Sequence, residues 1–378
     1  MTDITTLPLI IPPALPGSLG DAAMISAAAA FLAQNSGHIP DLMYGRAWPL
    51  DSQIHARIPA ERFFYRGSRV QQWLIARRLR RYDAAYFIGA DVIDGAYNPA
   101  SVERRLWILA KVAARTGKAR ILGASFNTKP EPRAIDALRR LPPEVIVCAR
   151  DPLSKGRMEA ALDRPIRLVA DLAFLLAPRP ESPEAIAGKA WIALQHKEGR
   201  AVIAVNINYL QVNRQPDLID AYVVLMNRLL EAGMSLLLVP HDTRSATPDQ
   251  MLLEKAATGC GADQGGRMHM FPPQSPGAVK AVLEHVDLLF TGRMHAAVLA
   301  LGAKTPVVCL SYQDKFEGLA EYFDLREAEI IQEPEDFTAN PGRVTDLLLD
   351  HVRQQKQLRR RIEDRLEAVI DLARLNFQ

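Results

Sequence analysis

The sequence predicts an α/β protein with two units, each built around a parallel sheet that helices cover on both faces. Short apolar runs alternate with helical stretches in both halves of the chain, and a proline-rich segment separates the halves. The chain has 378 residues, of which 48% are hydrophobic, which is enough for two separate cores. Two such units are expected to leave a cleft between them, and a cleft is the default place for an active site.

The first half contains four apolar runs with the length of buried strands, and helical stretches separate them. These runs are Ala84–Ile88, Ala119–Leu122, Val145–Cys148 and Leu168–Val169. In parallel sheets, ligands bind beyond the carboxyl ends of the strands. The segments that follow the runs are therefore candidates for binding, and they supply Asp91, Asp94, Asn127 and Arg150.

These candidates have a structural interpretation beside the functional one. Asp91 and Asp94 suit the binding of sugar hydroxyls, but a tight turn closed by an aspartate explains them equally well. Arg150 would bind an anion or pair with a carboxylate such as Asp151. Asp21 follows the stretch 17–20, which contains two glycines and precedes an alanine-rich helix. It would either line an anion or hydroxyl site or cap that helix.

A change of composition marks the boundary between the two halves. Residues 178–183 contain three prolines in six positions, which is typical of a stiff, exposed connector. We therefore predict one domain over residues 1–180 and a second over residues 181–378. The second is predicted to end in a long amphipathic helix over roughly 342–375, because apolar residues recur there at three- and four-residue steps.

The second half repeats the alternation of strand and helix. Its predicted strands lie near Val202–Asn206, Leu236–Val239, Asp287–Phe290 and Val307–Leu310. Asn208, Tyr209 and His241 follow the first two of these strands, so they would lie at the binding edge of the sheet. His241 stands beside Asp242, which suits an acid–base residue and suits a satisfied structural histidine about equally.

The most informative stretch is Gly292-Arg293-Met294-His295, between the third of these strands and an Ala/Leu-rich helix. A glycine turn from strand to helix leaves backbone N–H groups at the helix start, and these groups and the helix dipole favour an anion. Arg293 and His295 add side-chain donors there. Lys315 follows the next strand. The alternative is a plain strand–helix corner with a histidine that faces the core.

Composition excludes several classes of protein. A formal net charge of +3, with 24% charged residues, argues against a dedicated nucleic-acid binder. Three cysteines at unrelated spacings predict no disulfide and no cysteine metal site, which fits a reducing cytosol. The first residues lack the basic region of a signal peptide, and no apolar run reaches the roughly 18 residues of a membrane span, so a soluble protein is expected. The histidines are scattered, and no metal is implied.

Residues 61–82 contain an unusual concentration of arginine among aromatic residues. Helical spacing brings Trp73, Leu74, Arg77 and Arg78 close together. The arginines would either line a solvated face or form a surface for an acidic glycan, a lipid phosphate or an anionic membrane.

Residues Asp287 to Leu325 read DLLFTGRMHAAVLALGAKTPVVCLSYQDKFEGLAEYFDL and closely resemble the C-terminal signature of the bacterial polysaccharide pyruvyl transferase family. In that family, a Gly-Arg-x-His turn is followed, after a short apolar strand, by Tyr-x-x-Lys. Weaker similarities run through the rest of the chain, and they are Gly20-Asp21, Ala149-Arg150-Asp151 with Ser154, Asp171 with Phe174, and Pro240-His241. The family often has a glycine-rich turn where this chain has Ala90 and Asp91, which puts acceptor binding at that turn in question.

The resemblance implies two Rossmann-like domains in the GT-B arrangement, with the acceptor on the N-terminal domain and phosphoenolpyruvate on the C-terminal one. The reaction would move the pyruvyl group to two hydroxyls of a sugar in an exopolysaccharide or cell-surface glycan precursor, releasing phosphate and using no cofactor. By residue-to-residue match, the donor would bind to Arg150, Arg293 and Lys315, with the turn at Gly292. Acceptor contacts are expected from Asp91, Asn127, Asn208 and Tyr209.

In the mechanism that this implies, His295 donates a proton to the enol methylene or to the departing phosphate. Asp21, Asp94 or His241 would take the hydroxyl protons. Such an enzyme is expected in the cytoplasm, with the inner face of the membrane as an alternative for a lipid-linked acceptor. The sequence leaves the oligomeric state open. Two other interpretations stand: a GT-B glycosyltransferase with a nucleotide-sugar donor, and a non-catalytic glycan-binding or assembly protein.

Overall fold

A computed structural model describes residues 7–242, 244, 249–261, 265–272, 275–311 and 316–378. The chain divides into two compact units. Unit 1 comprises Met1–Pro16, Asp21–Leu176 and Val369–Gln378, and unit 2 comprises Gly17–Gly20 and Ala177–Ala368. The main division thus falls at the start of the proline-rich connector. In addition, one short segment near the N-terminus groups with unit 2, and the last ten residues group with unit 1.

Unit 1 contains a six-stranded sheet in which every neighbouring pair is parallel. Its strands are β1 (Pro8–Ile11), β2 (Asp41–Leu42), β3 (Ala84–Ala90), β4 (Ala119–Ala124), β5 (Val145–Ala149) and β6 (Arg167–Leu168), in the order β2-β1-β3-β4-β5-β6. Its core of buried aliphatic and aromatic side chains includes Phe87, Ile121 and Val147 from three central strands. Three of the apolar runs seen in the sequence, Ala84–Ile88, Ala119–Leu122 and Val145–Cys148, lie in β3, β4 and β5, whose residues are largely buried.

The helices of unit 1 lie between these strands. They are α1 (Leu19–Ser36), α2 (Glu61–Arg66), α3 (Arg69–Arg78), α4 (Pro99–Thr116), α5 (Pro132–Arg139) and α6 (Pro152–Leu162), with 3-10 turns at Leu79–Arg81, Leu172–Leu175 and Leu375–Phe377. Three of the helices carry a proline in their first turn, where its missing N–H costs nothing. Asn98 and Asp151 cap α4 and α6 by accepting the N–H groups of Ser101 and Ser154.

Unit 2 contains a second parallel six-stranded sheet. Its strands are β7 (Val202–Asn206), β8 (Ser235–Leu238), β9 (Met268–Met270), β10 (Leu288–Thr291), β11 (Val307–Leu310) and β12 (Ile331–Gln332), in the order β12-β11-β10-β7-β8-β9. Within the unit this is the dinucleotide-fold order 3-2-1-4-5-6, read from the β9 edge, and its direction of winding reverses between β7 and β10. The short edge strands β9 and β12 lack long apolar runs, and the sequence did not predict them.

The helices of unit 2 surround this sheet in the same alternating way. They are α7 (Pro183–Lys197), α8 (Tyr209–Arg214), α9 (Leu218–Glu231), α10 (Asp249–Gly259), α11 (Pro276–Leu283), α12 (Met294–Gly302), α13 (Glu317–Tyr322), α14 (Glu327–Ile330), α15 (Pro334–Ala339), α16 (Pro341–Arg353) and α17 (Gln355–Arg374). Between α9 and the sheet, the rings of Tyr222, Phe290 and Phe337 pack with centroids 5.2 to 5.5 Å apart. This aromatic cluster supports β10, the strand that leads into the Gly-Arg-x-His turn.

The prediction of one long C-terminal helix was wrong, because α16 and α17 are separate helices with a break at Gln354 (φ −95°, ψ 5°). The buried positions Val344, Leu348, Leu358 and Ile362 keep the same three- and four-residue phase on both sides of the break. An unbroken apolar phase is why the sequence alone does not show the interruption. Among the described residues, no helix combines the length and apolar character needed to cross a membrane.

Candidate active site

The Gly-Arg-x-His turn lies at the point in unit 2 where the direction of winding reverses, at the carboxyl ends of β7 and β10. Three residues join the strand ends here. The Thr291 hydroxyl donates to Asn206 Oδ1 at 3.0 Å and accepts the N–H of Arg293 at 2.9 Å. Asn206 Nδ2 in turn donates to the Val239 carbonyl at 2.9 Å, just beyond β8. The turn is thereby fixed to three neighbouring strands, in the position where such sheets bind ligands.

Gly292 is buried in this turn because the polar side chains around it leave no room for a Cβ atom. A side chain there would overlap the Gln211 amide, whose Nε2 donates to the carbonyls of Leu310 and Ser311, each at 2.9 Å. Asn208 Nδ2 donates to the Gly292 carbonyl at 2.8 Å, and Asn208 Oδ1 caps α8 through the N–H of Leu210 at 3.0 Å. Within unit 2, Asn208 therefore holds the turn, and its contact with an acceptor stays a prediction.

Arg293 is held by a fully buried carboxylate. Its Nε and Nη2 donate to the two oxygens of Asp249, at 3.1 and 2.7 Å, in the bidentate geometry that orients a guanidinium most strongly. The guanidinium also lies 5.1 Å from the ring centroid of Tyr209. Asp249 Oδ1 accepts the Tyr209 N–H at 3.2 Å, so the same carboxylate fixes both sides of this contact.

A second ion pair lies beside the first. Arg244 donates to Asp242 in a bidentate manner, and Arg293 Nη2 lies 3.8 Å from Asp242 Oδ2. Burial alone would raise the pKa of Asp242, but the hydrogen bonds and charge of Arg244 and the charge of Arg293 outweigh it and lower that pKa. The charges of two guanidinium groups are thus balanced by those of two carboxylates. An anionic ligand would need further positive donors, and Lys315, the predicted one, lies outside the described residues.

His295 lies in the first turn of α12, and the segment Gly17–Gly20 packs over it. A Cβ atom at Gly20 would overlap the His295 ring, so only glycine allows this approach. The segment is fixed by the N–H of Leu19, which donates to the His241 carbonyl at 3.1 Å, and by an antiparallel bridge between Ser18 and Asp242. Gly20, in the first turn of α1, therefore packs against a histidine that lies more than 270 residues later in the sequence.

His241 is buried, with 3% of its surface exposed, and neither ring nitrogen has a hydrogen-bond partner among the described residues. Burial, followed by the charges of Arg293 and His295, lowers its pKa to about 3, against a weaker opposing effect of Asp242. A buried polar group without a partner costs about 1–3 kcal/mol. Such a cost inside a site is typical of a group that serves a ligand.

We expect this histidine to make unit 2 sensitive to acid. The unfolded chain protonates the imidazole near 6.5 and the folded chain near 3, so between these values the unfolded state binds more protons. Its contribution to stability is complete above pH 6.5 and is lost as the pH falls towards 3, at up to about 1.4 kcal/mol per unit. Urea unfolding between pH 4 and 7 should therefore show a flatter pH dependence for His241→Gln than for the wild type or for the control His38→Gln. Equal slopes for all three proteins would contradict this assignment.

The predicted residues of unit 1 also lie at strand ends, in a network of their own. Arg150 follows β5, is buried, and donates through Nη1 to Asp171 at 2.8 Å and through Nε to the Ser125 hydroxyl at 2.8 Å. Burial alone would lower the pKa of Arg150, but the charges of Asp171, Asp91 and Asp151 raise it. The guanidinium is therefore always charged and is held within unit 1 by this ion pair.

Asp94 has a structural role in its turn. Its carboxylate accepts the N–H groups of Ala96 at 3.0 Å and Asn127 at 3.1 Å, and the residue is fully buried. Asp91 accepts a hydrogen bond from the Tyr97 hydroxyl at 3.1 Å. Ala90, where the family often has glycine, adopts the left-handed conformation (φ 46°) that glycine favours. The turn thus keeps the glycine backbone geometry while carrying a methyl group.

Asp21 begins the part of α1 that belongs to unit 1, and it is buried. Burial lowers the pKa of Arg105, and the charge of Asp21 is a weak effect in the opposite direction. Among the residues that the structure describes, no group of three or more His, Cys, Asp or Glu side chains has the arrangement of a metal site.

The structure thus brings six predicted residues together in unit 2: Gly292, Arg293, His295, His241, Asn208 and Tyr209. Sequence reasoning missed Asp249, Gln211 and the role of Gly20. Asp249 starts α10, where an acidic residue is ordinary, so its sequence position gives no sign that it binds Arg293. Gln211 has no sequence signal. The signal for Gly20 was its place in a glycine-containing segment before a helix, which the sequence analysis assigned to a ligand.

The profile of the polysaccharide pyruvyl transferase family matches residues 19–314. The chain belongs to this family. The match begins at the segment that packs over His295 and includes the Gly-Arg-x-His turn with every described residue of the unit 2 site. Among curated proteins, none matches this member of the pyruvyl transferase family in sequence.

Solved structures show that the fold is of the GT-B class. S. aureus MnaA in its complex with UDP has a TM-score of 0.61 at 10% identity, covering 95% of this chain and 91% of MnaA. Trehalose-6-phosphate synthase OtsA has a TM-score of 0.60 at 9% identity, covering 97% and 96%. A glycosyltransferase from Rickettsia africae has a TM-score of 0.58 at 12% identity, covering 99% of both chains. At such identities the likeness shows the fold alone.

Proposed function

We propose that this protein transfers the pyruvyl group of phosphoenolpyruvate to two hydroxyls of one sugar in a cell-surface glycan precursor, forming a cyclic ketal and releasing phosphate. The observation that carries the proposal is the Gly292–His295 turn at the reversal point of the unit 2 sheet, in a chain of the pyruvyl transferase family. Arg293 is already oriented there by Asp249, and His295 lies at the start of a helix. A preformed guanidinium beside a helix start suits a small phosphorylated carboxylate.

The chemistry balances in protons and bonds. The two sugar hydroxyls lose one proton each and form two C–O bonds to the former enol carbon. One proton goes to the methylene, which becomes the methyl group, and the other leaves with phosphate as the C–O bond to phosphate breaks. The enzyme must therefore supply an acid at the methylene, a base at the hydroxyls and cations around the phosphate and carboxylate.

The site residues fit these tasks as follows. Arg293 would bind one anionic group of phosphoenolpyruvate. Lys315 and Arg150 are the further positively charged side chains that the family pattern implies. His295 would give the proton to the methylene. Among the three candidate bases, His241 has the strongest support, because burial keeps it neutral and its ring nitrogens have no hydrogen-bond partner among the described residues, whereas Asp94 accepts two backbone N–H groups. The charge of a bound phosphate would raise the pKa of His241 and make it a better base.

The test is a screen of lipid-linked and nucleotide-linked sugars with phosphoenolpyruvate. Phosphate release and the mass of the acceptor are the two measurements. We expect phosphate release only when an acceptor is present, together with the mass gain of one pyruvyl ketal. Release that depends on an acceptor would exclude a non-catalytic glycan-binding protein. No release with any acceptor, despite a folded protein that binds sugars, would contradict the proposal. We also propose a cytoplasmic location, because phosphoenolpyruvate is available there.

The second candidate is a glycosyltransferase with a nucleotide-sugar donor. Glu317 favours it, since this acidic residue begins α13 beyond β11, on the binding edge of the unit 2 sheet, where a carboxylate would suit ribose hydroxyls. The S. aureus MnaA structure, which shares the fold, contains UDP. Calorimetry separates the two candidates. Tight binding of a nucleotide sugar that Glu317→Gln abolishes, with no binding of phosphoenolpyruvate, would favour this one.

A further inference from the structure

The arginine-rich segment of unit 1 has no part in the proposed reaction. Its seven arginines, Arg62, Arg66, Arg69, Arg77, Arg78, Arg80 and Arg81, occur with no aspartate or glutamate between positions 62 and 82. All seven side chains are exposed. Among the described residues, Arg81 is the one member that pairs with a carboxylate, and its distance to Asp41 is 3.9 Å. The segment is therefore a local surface of high positive charge in a chain whose net charge is only +3.

The same segment exposes an apolar stripe. Val70, Trp73 and Leu74 on α3 are 71%, 58% and 48% exposed, and their spacing places them on one face of the helix. Arg77 lies over the Trp73 ring, with 5.0 Å between its guanidinium carbon and the ring centroid. Ile75 points the other way and is buried in the core of the unit. The helix is thus anchored by one face and presents an apolar stripe bordered by arginines on the other.

We propose that this surface, α3 with the adjoining 3-10 turn, binds the headgroup region of an anionic phospholipid membrane. A short helix with tryptophan and leucine on an exposed face and arginines on its borders has the composition of an interfacial membrane anchor. The arginines would contact lipid phosphates while the stripe enters the boundary between headgroups and acyl chains. The surface shares no residue with the proposed donor pocket, because its members all lie between positions 69 and 81.

Charge and side-chain type favour lipid over a soluble polyanion. An acidic glycan or a nucleic acid would use the arginines but would leave Val70 and Leu74 in water, since neither residue offers a hydrogen bond or an aromatic face. A neutral protein partner would cover the stripe but would leave the charge of the five arginines of α3 and the 3-10 turn uncompensated. An anionic bilayer satisfies both, because headgroup charge and an apolar interior occur within a few ångströms of each other.

Sedimentation of the full chain with vesicles tests this proposal. We expect binding to vesicles of phosphatidylcholine mixed with phosphatidylglycerol, weak binding to phosphatidylcholine alone, and a decrease with added salt. Each basic residue near an anionic surface strengthens binding about fivefold, so the double substitution Arg77→Glu with Arg78→Glu should weaken it about twenty-five-fold or more. Trp73→Ala with Leu74→Ala should weaken it at least about tenfold, since a large apolar area is lost.

Two control variants match these changes elsewhere on the surface. Lys356→Glu with Arg360→Glu, on α17, makes the same change of charge at exposed positions. Ile186→Ala with Leu194→Ala, on α7, removes apolar side chains of similar exposure. Both controls should bind vesicles like the wild type, and circular dichroism should show that all variants are folded. Equal losses in controls and test variants would overturn the proposal, as would wild-type binding that does not depend on anionic lipid.

Binding of heparin or RNA that requires the arginines, without vesicle binding, would replace the proposal with a soluble polyanion. Fluorescence adds a local readout, because the difference spectrum between wild type and Trp73→Phe should shift to shorter wavelength when anionic vesicles are added. An unchanged Trp73 spectrum in bound protein would also contradict insertion. Turnover with a water-soluble acceptor should be the same in every α3 variant. This result and the vesicle result can therefore fail independently.

Discussion

Replacement of His295 by alanine is expected to lower turnover by about a hundred- to ten-thousandfold while the affinity for phosphoenolpyruvate changes little. His295 lies in the first turn of α12, two residues after Arg293, and its imidazole would supply the proton that turns the enol methylene into a methyl group. Phosphate release under saturating acceptor measures the turnover, and calorimetry with phosphoenolpyruvate alone measures the affinity. Near-full turnover in His295→Ala with unchanged affinity would show that the acid lies elsewhere.

The position of His295 can be tested without changing its chemistry. A methyl group in Gly20→Ala would overlap the imidazole and displace it, so this variant should show much of the loss seen in His295→Ala. Gly156→Ala, on α6, is the matched control, since a Cβ atom there meets nothing within 4 Å. In a His295→Gly background, which also removes the Cβ atom of residue 295 that the new methyl group would overlap, Gly20→Ala should have no further effect on turnover. An additive loss would mean that Gly20 acts through another group.

Substitutions at the bidentate contact between Arg293 and Asp249 are expected to have the second large effect, on kcat/KM and on stability. Arg293→Lys keeps the charge but cannot satisfy both carboxylate oxygens in the same plane, and a misplaced cation should cost about a hundredfold in kcat/KM. Asp249→Asn removes the charge that orients the guanidinium and leaves a partly buried cation with a weaker partner, which should lower the free energy of unfolding by about 3–5 kcal/mol.

A double-mutant cycle separates orientation from stability. If Asp249 acts through Arg293, the losses of kcat/KM in Arg293→Lys and Asp249→Asn will not add in the double variant. The exposed pair Arg343 and Asp336, with Nη2 and Oδ2 3.4 Å apart, is the control, and Arg343→Lys with Asp336→Asn should change neither kcat/KM nor stability by a measurable amount. Wild-type kcat/KM in Arg293→Lys would show that the guanidinium does not bind the donor.

The two sheets were readable from the sequence because their central strands are buried on both faces. Runs such as Ala84–Ile88 and Val202–Asn206 have no polar alternation, and such runs between helices leave little choice but a parallel sheet. The strands β9 and β12 are three and two residues long and lie at the edge, where burial is partial and composition is weakly constrained. The break between α16 and α17 was missed because the apolar phase continues through it.

The site was predicted as far as local sequence reaches. Gly292, Arg293 and His295 lie within one turn, so their pattern is visible in the chain and in the family resemblance. The partners of that turn come from Asp249, Gln211 and Gly20, which are dispersed along the chain and carry no mark of the contact. The hydrogen bond of Asn208 could not be predicted for the same reason. Its place after a strand was readable, but its hydrogen bond to the Gly292 carbonyl requires the fold.

The contacts of the segment Gly17–Gly20 set an order in which parts of unit 2 can form during synthesis. These four residues are synthesised long before the other residues of unit 2, and their partners His241 and Asp242 are more than 220 residues further along the chain. Closing such a long loop is entropically costly and slow relative to local contacts. The contact of the segment Gly17–Gly20 with His295 is therefore among the last contacts of the site to form during synthesis. In a fragment that begins at residue 177, the His295 ring would lack its contact with Gly20, and the His241 carbonyl would lack the N–H of Leu19.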